Sequence, residues 1–168
     1  VIRGLYNPPS QTAELAYSED ISLQAIQNVV LLLKLMYGKM HDGLMPTLED
    51  LLKCFNNFDL VQEMCEELEK DEELSKEYEL QLSYFKQYFY KGSEGRKDMQ
   101  RYVHFASSTL DVLLRSAEAR NIICNRYNNM DFGAVLDEGK IVLISTRPYE
   151  IGGTADQGFG RFFLMLMM

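Results

Sequence analysis

The chain has 168 residues, 46% of them hydrophobic, and a net charge of −8. That length and apolar share suffice for one packed core, and the acidic balance excludes a protein that coats nucleic acid indiscriminately. Three cysteines, Cys54, Cys65 and Cys124, form no C-x-x-C pair, and their odd number leaves at least one thiol free, which points to a reducing compartment.

In chain order, Val1-Ile2 reads as the tail of a strand and Asn7-Pro8-Pro9-Ser10 as a hinge, because two consecutive prolines forbid a regular helix across them. Ser18 is placed to cap a helix running to about His41, with Ile21, Ala25, Val29, Leu32, Met36 and Met40 at helical spacing. Ile26, Val30, Leu33 and Tyr37 make the neighbouring stripe apolar as well, so this helix is expected to be surrounded by others. Asp42-Gly43 ends it, and Pro46-Thr47 starts a short helix carrying Leu48, Leu51, Leu52 and Phe55. After Asn56-Asn57, Asp59 and Gln62 form a capping-box pattern for a third helix that turns Val61, Met64, Cys65 and Leu68 inward.

A fourth helix over roughly 74–91 sets Leu74, Tyr78, Leu82, Phe85 and Phe89 on one stripe, and Lys91-Gly92-Ser93-Glu94-Gly95 forms a connection. The fifth, about 97–119, buries Tyr102, Phe105, Ala106, Thr109, Leu110, Leu113 and Ala117 by the same periodicity. Asn128-Asn129 turns the chain, and Asp131 caps a short helix holding Phe132, Val135 and Leu136. Lys140 to Thr146 then reads as a strand, a β-branched and apolar run entered through Gly139 and left at Arg147-Pro148. One strand cannot make a sheet, so its partners are expected outside these residues or in another chain. The start at Val1 and the stop inside the apolar run Phe162 to Met168, itself too short to span a bilayer, lead to the same expectation of a piece of a longer protein.

Charge is unevenly distributed. Residues 59–79 hold ten acids against Lys70 and Lys76, whereas 86–126 carry a balance of +4. Two binding surfaces follow. If the domain meets DNA, Arg96, Lys97, Arg101, Arg115, Arg120 and Arg126 are the phosphate contacts, with salt-dependent affinity. If it instead receives a basic protein, the acidic helix supplies Glu66, Glu67, Glu69 and Glu73.

Enzymatic signatures are missing. There is no P-loop of the form G-x-x-x-x-G-K-S/T and no G-x-S-x-G, and no catalytic residue is assigned. The turn Gly152-Gly153-Thr154-Ala155-Asp156-Gln157-Gly158-Phe159-Gly160 matches no phosphate-binding fingerprint, and its small residues suit close packing of helix on sheet. His41 and His104 belong to no metal-ligand spacing, so no metal site is expected.

Leu136-Asp137-Glu138-Gly139-Lys140-Ile141-Val142-Leu143-Ile144, then Gly152, then Gly158-Phe159-Gly160-Arg161-Phe162-Phe163, resembles the segment just before the Walker B strand in HerA-like and type IV secretion ATPases, the hexameric motors of conjugation and DNA translocation. In that family an all-alpha domain is inserted between the two halves of a RecA-like core. The resemblance implies a mainly α fold, a bundle of about five to six helices with one or two strands and a C-terminal helix belonging to a truncated RecA-like α/β core. It implies a lead-in from the parent core over 1–17, an all-alpha domain over 18–130, and a return segment over 131–168 with a short helix, a strand at 140–146 and a helix at 156–168. The implied role is an accessory domain of a secretion or conjugation motor that contacts DNA, a relaxase or another secreted substrate. ATP, Mg and homo-hexameric assembly would belong to the parent and no cofactor to this piece, which would be a monomer. Other secretion-system subunits would be partners, at the cytoplasmic inner face of the membrane. Arg147-Pro148-Tyr149 departs from the small residues that family carries after the strand, and no Walker lysine, acid pair or arginine finger has a counterpart.

Overall fold

A computed structural model describes residues 13–127 and 131–143. Its described residues are mainly helical and form eight helices: α1 Ala13–Met40, α2 Leu48–Asn56, α3 Phe58–Leu68, α4 Glu72–Glu77, α5 Glu79–Tyr88, α6 Arg96–Leu114, α7 Ala117–Ile123 and α8 Phe132–Asp137. The chain divides into two units at residue 108, so that α6 begins in one and ends in the other.

In the unit Ser10–Ser108, α3 is the centre and packs on α1, α2 and α5. Its buried residues Phe58, Val61, Met64, Cys65 and Leu68 recur every three or four positions, which keeps them on one face. Against them α1 places Ala25, Val29, Leu32, Leu33 and Met36, and α5 places Leu82 and Phe85. Fully burying each such side chain is worth about 1.5–3 kcal/mol, so this interlocked set dominates the unit's stability. Phe58, Phe85 and Phe89 form the aromatic part of the core, with ring centroids 4.4 Å apart for Phe58–Phe89 and 5.3 Å for Phe85–Phe89.

The helix boundaries follow local chemistry more closely than periodicity. α1 begins at Ala13, so Ser18 lies inside it and does not cap it. It ends where Asp42 and Gly43 adopt φ of 49° and 80°, and the Gly43 amide closes back on the Gly38 carbonyl at 2.8 Å. Asp50 fastens the start of α2: its Oδ2 accepts from the Thr47 amide and from Thr47 Oγ1, both at 2.9 Å. The cap of α3 is Asn57, whose side chain accepts from the Asp59 amide at 3.1 Å, and Asp59 with Gln62 forms no box. Gln62 instead accepts from the Lys91 amide at 3.2 Å.

The single helix expected over 74–91 is two, because Tyr78 leaves helical geometry at φ −106° and ψ 26°. Leu82, Phe85 and Phe89 of its expected stripe are buried, while Leu74 and Tyr78 are half-buried. The helix expected over 97–119 likewise breaks after Leu114, and Ser116 caps α7 by accepting from the Ala119 amide at 3.3 Å. Ala117 is therefore exposed in a first turn. The buried row of α6 is Met99, Val103, Ala106, Leu110 and Leu113, which turns Phe105 outward to 40% exposure.

In the second unit, Asp131 Oδ1 accepts from the Ala134 amide at 3.2 Å, capping α8 as expected. Gly139, at φ 68°, ends α8 with the Lys140 amide bonded to the Val135 carbonyl at 3.0 Å. The strand expected from Lys140 is not formed over its described part: 140–143 are paired into no strand, and Ile141 and Leu143 are 88% and 92% exposed. A strand exists only through hydrogen bonds to a neighbour, and no strand occurs among the described residues. Residues 144–146, the expected helix at 156–168 and residues 1–12 of the lead-in expected over 1–17 lie outside the described residues, while 13–17 of that lead-in already belong to α1.

Candidate functional site

The six basic residues proposed for DNA are divided between the two units. Arg96, Lys97 and Arg101 belong to the first unit, and Arg115, Arg120 and Arg126 to the second. Arg96 is built into the fold, with its side chain only 18% exposed. Its Nη1 donates to the Phe89 carbonyl at 2.6 Å, its Nη2 donates to Asp59 Oδ1 at 2.8 Å, and its guanidinium lies 5.5 Å from the centroid of the Phe58 ring. The planar fork of arginine suits this three-way joint between α3, the end of α5 and the start of α6. Gly95 sets the approach, since a Cβ there would meet Tyr88 Cδ1 at 2.5 Å.

Asp59 faces both Arg96 and Lys91, the latter through Nζ at 2.8 Å. Hydrogen bonds from Lys91 and then Arg96 hold its carboxyl below the usual carboxylate range. Arg101 is exposed and pairs with Asp98 at 3.6 Å one turn away, and Arg115 pairs with Asp111 at 2.8 Å. Lys97 and Arg120 are exposed, and Arg126 is half-buried.

The acidic candidates lie close together in sequence and within one unit. Glu66 and Glu67 are in the last turn of α3, Glu69 follows it, and Glu73 is in the first turn of α4. Glu67 is bridged to Lys70 and Glu69 to Lys86. Lys39 reaches Asp71 at 3.3 Å, and Asp71 in turn caps α4, held low chiefly by the Leu74 amide. No ion pair engages Glu66, Glu72, Glu73, Glu77 or Glu79 among the described residues. Glu66 and Glu67 sit at a helix C-terminus with no basic residue in the last turn, where the helix dipole disfavours them. Local partners offset part of this: Gln62 Nε2 donates to Glu66 at 2.8 Å, and Lys70 pairs with Glu67.

Beside this stretch lies a feature that periodicity did not reveal. Residues 28–35 of α1, the last residue of α3, Tyr78 and residues 81–85 of α5 line a shallow apolar notch, about 230 Å³ with its open solvent included. Its floor is Leu32, Leu68, Leu82 and Phe85, all buried. Its rim is Asn28, Leu31, Leu35, Tyr78 and Gln81, all half-buried. No charged side chain lines it. Tyr78, where the chain leaves helical geometry, stands on the rim, and the row 28, 31, 32, 35 on α1 was the one sequence signal that could have located one wall.

Cys54 and Cys65 are buried; burial pushes the Cys54 thiol up to about 12 and the Cys65 thiol upward as well. A thiol held protonated is a packing residue and a poor nucleophile. Among the described residues no three His, Cys, Asp or Glu side chains are grouped to hold a metal ion. Compared with known proteins, the chain matches no family model, no curated protein and no solved structure.

Proposed function

We propose that the helical unit is an acidic docking module for a basic protein partner. The observation that carries this reading is the surface stretch 66–79, in which eight acids face two lysines and five glutamates have no ion pair among the described residues. The basic residues weigh the other way: Arg96 is consumed internally, and Arg101 and Arg115 are matched by acids of their own helix. On the resemblance, such a module is the all-alpha accessory domain of a hexameric type IV secretion or conjugation ATPase. The partner is then a relaxase or an assembly factor, and ATP and Mg act in the parent core.

Fluorescence anisotropy with a lysine-rich 16-residue peptide and with a 20-base-pair duplex separates the two surfaces. The peptide should bind with affinity that falls as salt rises. Changing Glu66, Glu67, Glu69 and Glu73 to Gln should weaken it at least tenfold without loss of helical circular dichroism. Duplex binding that disappears on reversing Lys97 and Arg101, with peptide binding unaffected by the four Gln changes, would overturn the reading in favour of DNA.

A further inference from the structure

We infer that Lys39 and Lys86 are built-in competitors for the docking surface, occupying acids that a basic partner would otherwise take and giving way as it docks. The inference rests on the docking reading and adds how that surface is held back. Between 66 and 79 the acids fall into two groups. Glu67 pairs with Lys70, Glu69 with Lys86 and Asp71 with Lys39, the last at 3.3 Å. Glu66, Glu72, Glu73, Glu77 and Glu79 have no ion pair among the described residues.

Lys70 is a neighbour of Glu67 in sequence, but the other two cations are supplied by the fold. Lys39 stands in the last turn of α1, 32 residues before Asp71, and Lys86 stands in the last turn of α5. A cation is favoured at a helix C-terminus in any case. Tertiary packing adds that two such ends bring their ammonium groups to one short stretch, 69–71. About half of each side chain stays in water, 51% for Lys39 and 53% for Lys86. A pair so exposed shifts an equilibrium by no more than about fivefold, so a partner's ammonium can replace either lysine without unfolding a helix. Asp71 keeps its hydrogen bond from the Leu74 amide when Lys39 leaves, and its carboxylate stays oriented. Docking then starts at the open glutamates of α4 and proceeds onto 69–71 by exchange of lysine for lysine.

The test is an anisotropy titration of the full chain with the lysine-rich 16-residue peptide. Lys86→Gln should tighten binding about threefold, whereas Lys97→Gln, which removes the same charge from exposed α6 surface, should change it by less than about 1.5-fold. Lys86→Arg keeps the charge and should match wild type, which separates loss of a competitor from a loosened α5. Glu69→Gln should cost more affinity in the Lys86→Gln background than alone, because only there does the carboxylate stand open. Equal gains from Lys86→Gln and Lys97→Gln, or the same cost of Glu69→Gln in both backgrounds, would reduce the effect to net charge and overturn the competitors while leaving the docking surface standing. Failure of the peptide to bind wild type and every variant would remove the docking reading and the competitors with it.

Discussion

Replacing Arg96 by Ala removes three interactions at once, and their sizes can be bounded separately. The charged hydrogen bond to the Phe89 carbonyl, at 2.6 Å, is of a kind worth about 1.5–3 kcal/mol. The pair with Asp59 is partly exposed and keeps Lys91 as a second cation, so its loss costs at most about 1 kcal/mol. The guanidinium over Phe58 adds about 0.5–1 kcal/mol. Because the three share one side chain they are not additive, and about 3 kcal/mol is the expected loss. With a urea slope near 2 kcal/mol/M, the unfolding midpoint should fall by about 1.5 M. Arg96→Lys should recover little, since an ammonium cannot reach both acceptors in the plane of a fork. Arg101→Ala is the control: its side chain is 82% exposed and its ion pair local, so a change under about 0.5 kcal/mol is expected. Equal midpoints for Arg96→Ala and wild type would refute the strut and return Arg96 to the candidate DNA contacts. Until that is measured, charge reversals meant to test DNA binding should include Lys97 and Arg101 and leave Arg96 intact.

Tyr37 Oη donates to the buried Asp50 at 2.9 Å and ties α1 to α2, so Tyr37→Phe should cost about 1 kcal/mol in thermal unfolding. Asp50→Ala, which also removes the cap at Thr47, should cost clearly more, about 2–3 kcal/mol; identical losses would mean that the cap contributes nothing. A thiol-titrating reagent applied to the native chain should modify Cys124 first, with Cys54 and Cys65 reacting only on the timescale of unfolding. Native reaction of Cys65 would contradict its complete burial. Asp59 has a folded pKa below its unfolded value, so the stability it contributes is present above the ordinary carboxylate pKa of about 4 and drains away as pH falls below it. Asp59→Asn should therefore flatten the acid limb of an unfolding-midpoint series below that pH, and an unchanged limb would show that the Lys91 and Arg96 contacts do not form in solution.

What the residue pattern determined by itself was the helical class and much of the core. Val61, Met64, Cys65 and Leu68 turned inward as their spacing required, and so did Leu82, Phe85 and Phe89. A periodic apolar stripe has one low-energy solution, burial against other stripes, and that information is local. The helix break at Tyr78 was not legible, since no Gly or Pro marks it, whereas the break at Ser116 coincides with an N-cap residue that the apolar periodicity ran across. Lys140–Leu143 shows the same limit from the other side: its β-branched run expresses a preference, but a strand needs a hydrogen-bonded neighbour. Arg96 is the clearest case. Reading along the chain it is one more cation in a basic stretch, and only the fold brings Asp59, 37 residues earlier, and the Phe58 ring to its two sides. The notch likewise needs three helices and a bend. Charge run and apolar period are properties of neighbours in sequence; which charges remain available, and where an apolar surface stays open, depend on residues that meet only after the chain has folded.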